Sequence, residues 1–298
     1  MRRLKPFSYF EPTTLPEASK TLVEQGAQAY ALAGGTDLLV RMKRGHIKPT
    51  ALINLKRIEG LEEIKRETGK GIHIGASVLI STIEHSPLIR TRFPVLTQAA
   101  SLLGSPSIRH LATLGGNIGR ASPASDMAPP LIALGAHLTM YGPQGKKELK
   151  TEEIFCGPGK TTLSLGELIT SCFLPEPALH SGAVYLKLGR RQGMDFAIVG
   201  VAAHLALSSN KTEAKEARIA LASVAPVPLR AKNAEEVLLS GSLTVERMEK
   251  AARAAAENSS PITDMRASAS YRREMVRVIT FRALRQALHL AQGGKIAN

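Results

Sequence analysis

"TLGGNIGRASPASD", Thr113–Asp126, is the stretch on which the reading of this chain turns. Two adjacent glycines, an asparagine and another glycine are followed by small residues around Pro123, then by one acid. Glycine costs roughly 0.5–1 kcal/mol against alanine inside a helix or strand. The composition therefore predicts a loop that something approaches closely. Ala33-Gly34-Gly35-Thr36-Asp37 has the same character. Each loop follows an apolar stretch and sets backbone N–H groups beside a hydroxyl and an acid or amide. Consecutive N–H groups in such turns form anion-binding concavities. Two of them suit the two phosphates of a dinucleotide, although either loop alone reads more readily as an ordinary turn.

Two familiar phosphate signatures are excluded. "GPGKTT" (157–162) looks like the end of a P-loop, but that motif needs a glycine where Ile154 stands. No complete G-x-G-x-x-G occurs, so a dinucleotide would bind here in a fold other than Rossmann. The chain has 298 residues, a length that favours two domains. Its 39 Lys and Arg against 25 Asp and Glu give a net charge of +14. That balance fits nucleic acid, an anionic cofactor, an acidic partner or a plain solvated surface. Aromatics are only 4%, without Trp, and zinc-finger or basic-zipper spacings are missing, which argues against nucleic acid. Cys156 and Cys172 cannot supply the four thiolates of an iron–sulfur cluster and read as two buried small hydrophobes. His73, His110 and His204 have no metal-spaced partner and read as structural. Met1 to Lys5 is followed by no apolar run, and "AIVGVAAHLAL" (197–207) is too short to span a bilayer. A cytoplasmic protein is expected.

Along the chain, Pro16 opens a helix that Gly26 closes. "AYALAGGTDLLVRMKRG" reads as strand, glycine turn and helix to Gly45. "ALINL" (51–55) and "GIHIGAS" (71–77) read as strands, with a mixed stretch before the second loop. "MAPPLIALG" reads as a short helix and "AHLTMYGPQGKKELK" as a hairpin. "ELITSCFLPEP" reads as a strand that ends in prolines. Three strand candidates then precede alanine-rich helices near 244–257 and 270–291. Strands followed by helices indicate an α+β domain, with a boundary near Pro175–Pro177.

"ALAGGTDLLVRMKRG", "IRHLATLGGNIGRASPASDMAPPLIALGA", "FCGPGKTTLSLGELI", "YLKLGRRQGMDFAIVGVAA" and "SASYRREMVRVITFRAL" together resemble the flavin-bearing medium subunits of the molybdenum hydroxylases. These include carbon monoxide, nicotinate and xanthine dehydrogenases. The segments stand in family order and span nearly the whole chain. The resemblance implies an α+β protein. Residues 1–176 would be a two-lobed FAD-binding domain of the vanillyl-alcohol-oxidase (PCMH) type. Residues 177–298 would be a small antiparallel sheet with helices.

By motif match, the first cofactor loop would be Ala31, Leu32, Ala33, Gly34, Gly35, Thr36, Asp37 and Leu38. The second would be Thr113, Leu114, Gly115, Gly116 and Asn117. Asp126 falls on a position that contacts the cofactor, and Leu103, Ile169 and Lys187 on further positions that line the flavin. An ionised Asp126 accepts from sugar hydroxyls, or caps the helix after it. Lys187 puts positive charge near the flavin, or faces solvent from its strand. His110 and Arg120 depart from the family pattern. The hairpin lacks the four-cysteine insertion of some relatives, so no cluster is expected in this chain.

The implied role is electron transfer by non-covalent FAD. Molybdopterin would reside in a large partner and 2Fe-2S clusters in a small one, and NAD, a quinone or ferredoxin would be the external acceptor. The segments 41–48 and 189–193 would face the cluster subunit, or merely solvent. The rival reading is a stand-alone flavin reductase or oxidase of the same FAD fold.

Overall fold

A computed structural model describes residues 4–191 and 193–295. The first lobe comprises β1 (Ser8–Phe10), α1 (Leu15–Gln25), β2 (Ala29–Leu32), α2 (Leu38–Lys43) and β3 (Ala51–Asn54). Thr14 caps α1 by accepting the Glu17 N–H, and Gly26 ends it at φ +74. That conformation suits glycine at a helix end. The strands pair in parallel in the order β1-β3-β2. Parallel neighbours need crossovers, which places the first glycine loop between β2 and α2.

The second lobe begins with β4 (Ile64–Glu67) and β5 (Gly71–Gly75). Four short helices follow: α3 (Ile80–His85), α4 (Pro87–Arg92), α5 (Pro94–Leu102) and α6 (Pro106–Arg109). Then come α7 (Leu114–Gly119), α8 (Ala128–Ala133), β6 (His137–Gly142) and β7 (Gly145–Lys150). A small hairpin, β8 (Phe155–Gly157) and β9 (Lys160–Thr161), precedes β10 (Leu168–Pro175). The larger strands form an antiparallel sheet in the order β4-β5-β10-β6-β7.

The C-terminal part has β11 (Ser181–Leu188), β12 (Val199–Leu207), β13 (Ala214–Ala222) and the short β14 (Leu229–Arg230), antiparallel and in sequence order. Helices α9 (Lys232–Leu239), α10 (Val245–Asn258) and α11 (Ala269–Ala291) follow. Every residue of β12 is buried, because this sheet is covered on both faces. Val201, Ala203 and Leu205 share one core with Ile219, Val276 and Ala283. Tyr185, Ala202 and Ala220, on the other face, share the second lobe's core with Leu96, Ala128 and Leu131. A strand buried on both sides reads as an unbroken apolar run.

The architecture is the expected α+β arrangement. One expectation fails: Cys172 is buried in β10, but Cys156 on β8 is exposed. Burial pushes the Cys172 thiol up to about 12, which leaves it inert. Among the described residues, no helix is long and apolar enough to cross a membrane.

Candidate functional site

The two glycine loops meet. A Cβ on Gly34 would lie 2.0 Å from the carbonyl oxygen of Leu111, on the approach to the second loop. Only glycine allows this contact of backbone on backbone. Gly35 sits at φ +71, in the left-handed region. Among the described residues, the N–H groups of Gly34, Gly35, Thr36, Asp37 and Leu38 find no acceptor. Ala31 and Leu32 end β2 and lead into this turn.

The second loop is in fact the helix α7. Thr113 caps it, its Oγ1 accepting the Gly116 N–H at 3.1 Å. The N–H of Leu114 donates to Val78 O (3.0 Å) and that of Gly115 to Ala76 O (2.8 Å). A Cβ on Gly115 would stand 2.6 Å from the Ala76 Cβ, so this glycine lets α7 press against the end of β5. Composition alone argued for a loop, and this close packing explains the difference. Gly116 is unlike its neighbour. It is exposed, and a Cβ there would meet only the Thr113 Oγ1, at 2.8 Å.

From α7 the site continues through a chain of side chains. Ser125 Oγ donates to Asn117 Oδ1 at 2.6 Å and accepts the Ala128 N–H at 3.1 Å. Met127 is the N-cap residue of α8 and makes no side-chain cap; Ser125 accepts the first helical N–H in its place, and Asp126 does not. The Asp126 carboxylate turns toward β11. Tyr185 Oη donates to its Oδ1 at 2.9 Å, and Lys187 Nζ to its Oδ2 at 2.8 Å. Lys187 Nζ also donates to Leu102 O at 3.0 Å, beside the buried Leu103. The Lys187 side chain is only 8% exposed, so it does not point to solvent. Burial raises the pKa of the Asp126 carboxyl, while Lys187 and Tyr185 pull it down. Ile169 on β10 approaches from the other side, its Cδ1 3.7 Å from where a Gly119 Cβ would stand.

These residues thus form two linked clusters. One joins the glycine loops and Ile169. The other joins Asp126, Lys187 and Leu103, with Asn117 and Ser125 between them. Sequence reading missed Tyr185, although it shares a strand face with Lys187 at a spacing of two. Arg120, noted in the sequence only as a departure, pairs with Asp37 across the loops, Nε to Oδ2 at 2.8 Å. Unpaired loop N–H groups, an outward glycine and a buried carboxylate with spare lone pairs fit a dinucleotide bearing sugar hydroxyls. Among the described residues, no group of three or more His, Cys, Asp or Glu is placed to hold a metal ion.

Two family descriptions match this chain. Residues 5–177 match the FAD binding domain in molybdopterin dehydrogenase, and residues 184–287 match the CO dehydrogenase flavoprotein C-terminal domain. The chain belongs to the FAD-binding medium subunits of the molybdenum hydroxylases, which makes it a subunit of an oxidoreductase complex. It is 35% identical over 281 residues to the carbon monoxide dehydrogenase medium chain of Hydrogenophaga pseudoflava, covering 94% of this chain and 96% of that one. It is 28% identical to a putative xanthine dehydrogenase FAD-binding subunit of Escherichia coli, with 97% and 98% covered. The solved carbon monoxide dehydrogenase of Hydrogenophaga pseudoflava that lacks the Mo-pyranopterin moiety superposes with a TM-score of 0.92 at 34% identity. That match covers 96% of this chain and 98% of the other.

Proposed function

We propose that this chain is the FAD-bearing electron-transfer subunit of a cytoplasmic molybdenum hydroxylase. FAD, held without a covalent bond, would take electrons from 2Fe-2S clusters in a small partner and deliver them to NAD, a quinone or ferredoxin. Substrate hydroxylation belongs to a large molybdopterin partner. The observation that carries this reading is the meeting of two glycine loops with N–H groups unpaired at Gly34 to Leu38.

The residues have distinct tasks. Ala31 to Leu38 bind the pyrophosphate through the unpaired N–H groups of Gly34 to Leu38, and Thr113 to Asn117 through the open face that Gly116 leaves without a side chain. Asp126 offers its remaining lone pairs to sugar hydroxyls, while Tyr185 and Lys187 hold it in place. Leu103 and Ile169 exclude water from the ring, and Lys187 sets positive charge beside it. We assign residues 1–176 to the FAD-binding domain and 177–298 to the C-terminal domain. Exposed Lys43, Arg44, Lys48, Arg190 and Arg191 supply basic contacts for the cluster subunit, where charge sets register and association rate. Gln192, inside that second basic segment, lies outside the described residues.

Acid precipitation should release the yellow chromophore into the supernatant; colour retained in the pellet would refute non-covalent binding. The electron-transfer reading is tested by mixing the flavin-loaded chain with its cluster-bearing and molybdenum-bearing partners. Substrate-dependent bleaching of the flavin should appear only in the full mixture. Bleaching by substrate in the isolated chain would make it a stand-alone flavoenzyme instead.

A further inference from the structure

Asp37 presents a conflict. It stands immediately before α2, inside the run of unpaired N–H groups that the proposed function assigns to phosphate. A carboxylate there is itself an anion and an acceptor. An aspartate before a helix ordinarily turns inward and accepts helix N–H groups. Asp37 makes no such bond, and its backbone is already helical at φ −99, ψ −48.

Its carboxylate is drawn away instead. Arg120 Nε lies 2.8 Å from Asp37 Oδ2, and Arg41 Nη1 lies 3.8 Å from the same oxygen. Arg120 follows α7 and so reaches Asp37 from the other loop. The surrounding backbone is shaped to seat it. Ala121 adopts φ +48, rare for a residue with a side chain. The Gly159 N–H donates to Ala121 O at 2.8 Å. A Cβ on Gly159 would stand 2.8 Å from Arg120 Nη1. The "GPG" turn, which lacks the first glycine of a P-loop, thus makes room for this guanidinium.

We propose that Arg120 is a positioning residue for the dinucleotide. It withdraws the Asp37 carboxylate from the phosphate-binding N–H groups and ties the first glycine loop to the second. This inference rests on the FAD reading of the site. It makes Arg120 necessary only because position 37 carries a charge.

The test is FAD rebinding by the stripped full-length chain, followed by flavin fluorescence. Arg120→Ala should weaken FAD binding about five- to tenfold, the scale of one or two partly screened charge contacts. The deficit should shrink at high salt. Arg120→Lys should restore most of the affinity. The deciding variant is Asp37→Asn combined with Arg120→Ala, which should bind FAD within about twofold of Asp37→Asn alone, because no carboxylate remains to be held. That recovery also keeps the test informative if Arg120→Ala folds poorly. Wild-type affinity in Arg120→Ala overturns the proposal, as does a double variant no better than Arg120→Ala. A wild-type chain that takes up no FAD overturns the underlying cofactor reading, and this inference with it.

Discussion

Gly34 and Gly116 are the same letter under different constraints. A side chain at Gly34 runs into the Leu111 carbonyl at 2.0 Å, so Gly34→Ala must push two backbones apart. We expect the apo chain to lose ~2–4 kcal/mol of stability, the cost of overpacking or strain at a closed contact. A side chain at Gly116 disturbs only the Thr113 cap, so Gly116→Ala should cost ~1 kcal/mol or less. It should nonetheless weaken FAD binding at least as much as Gly34→Ala, because it fills the open face proposed for the phosphates. Urea midpoints of both apo variants and FAD titrations separate the two effects; equal apo losses would erase the distinction. The sequence showed both glycine pairs but not which glycine met backbone and which met open space. At Asp126 it offered two roles, cofactor contact or helix cap. Asp126 does not cap the helix: Ser125 takes its first N–H, and the carboxylate meets Tyr185 and Lys187, far along the chain. Pairings at such separation leave no local pattern to read.

At the scale of elements, legibility followed length and periodicity. The helices capped by Thr244 and Ser268 and the three long strands of the C-terminal sheet stood out because many residues repeat one signal. The helices between Ile80 and Arg109 did not, since each is too short to show a period. Their signal was punctuation: Ser86-Pro87 and Ser105-Pro106 each place a capping serine before a first-turn proline. In β12, the doubly covered strand, His204 is the one ionisable side chain. Its Nδ1 lies 3.8 Å from Glu216, and Arg218 is its cross-strand neighbour on β13. Burial outweighs the pull of Glu216 and, with Arg218, lowers His204 from 6.5 to about 4. The unfolded chain binds this proton near pH 6.5, the folded chain only near pH 4. Stability from a neutral His204 is therefore complete above about pH 6.5 and is lost as pH falls toward 4. Between pH 7 and pH 5 the loss should be ~2 kcal/mol. Denaturant midpoints at the two pH values, for wild type and His204→Gln, measure it; an equal drop in both would assign the loss to other groups.

At the scale of the molecule, the two parts identified by sequence share their interior. Tyr185, Ala202 and Ala220 complete the core built by Leu96, Ala128 and Leu131. Helices α5 and α8 pack directly on β11, and α8 also on β12 and β13. A fragment of residues 1–177 would therefore expose an apolar face and lose both partners of Asp126. We expect it to aggregate or to lack a cooperative transition, and calorimetry of the full chain to show the second lobe and the C-terminal part melting together. A soluble 1–177 fragment with a sharp transition and FAD affinity would show the parts to be independent. Sequence proposes a boundary at Pro175–Pro177 because prolines and a change of composition fall there. It could not show that the boundary crosses one core, since small residues such as Ala202 and Ala220 look alike whichever side they face.

The shared sheet also orders events during synthesis. All the strands and helices of the first lobe have emerged once β3 has left the ribosome, but its core still waits for Leu168 at the start of β10. The two lobes carry one glycine-bearing segment of the site each, yet the second lobe's core still waits for Ala220 on β13. Asp126 emerges long before Tyr185 and Lys187, and until they arrive its carboxylate has no proton donor from β11. A nascent chain therefore displays the two glycine segments before the rest of the candidate site is complete. On the proposed site, firm capture of FAD would wait for the emergence of β13, well after both glycine segments have been made.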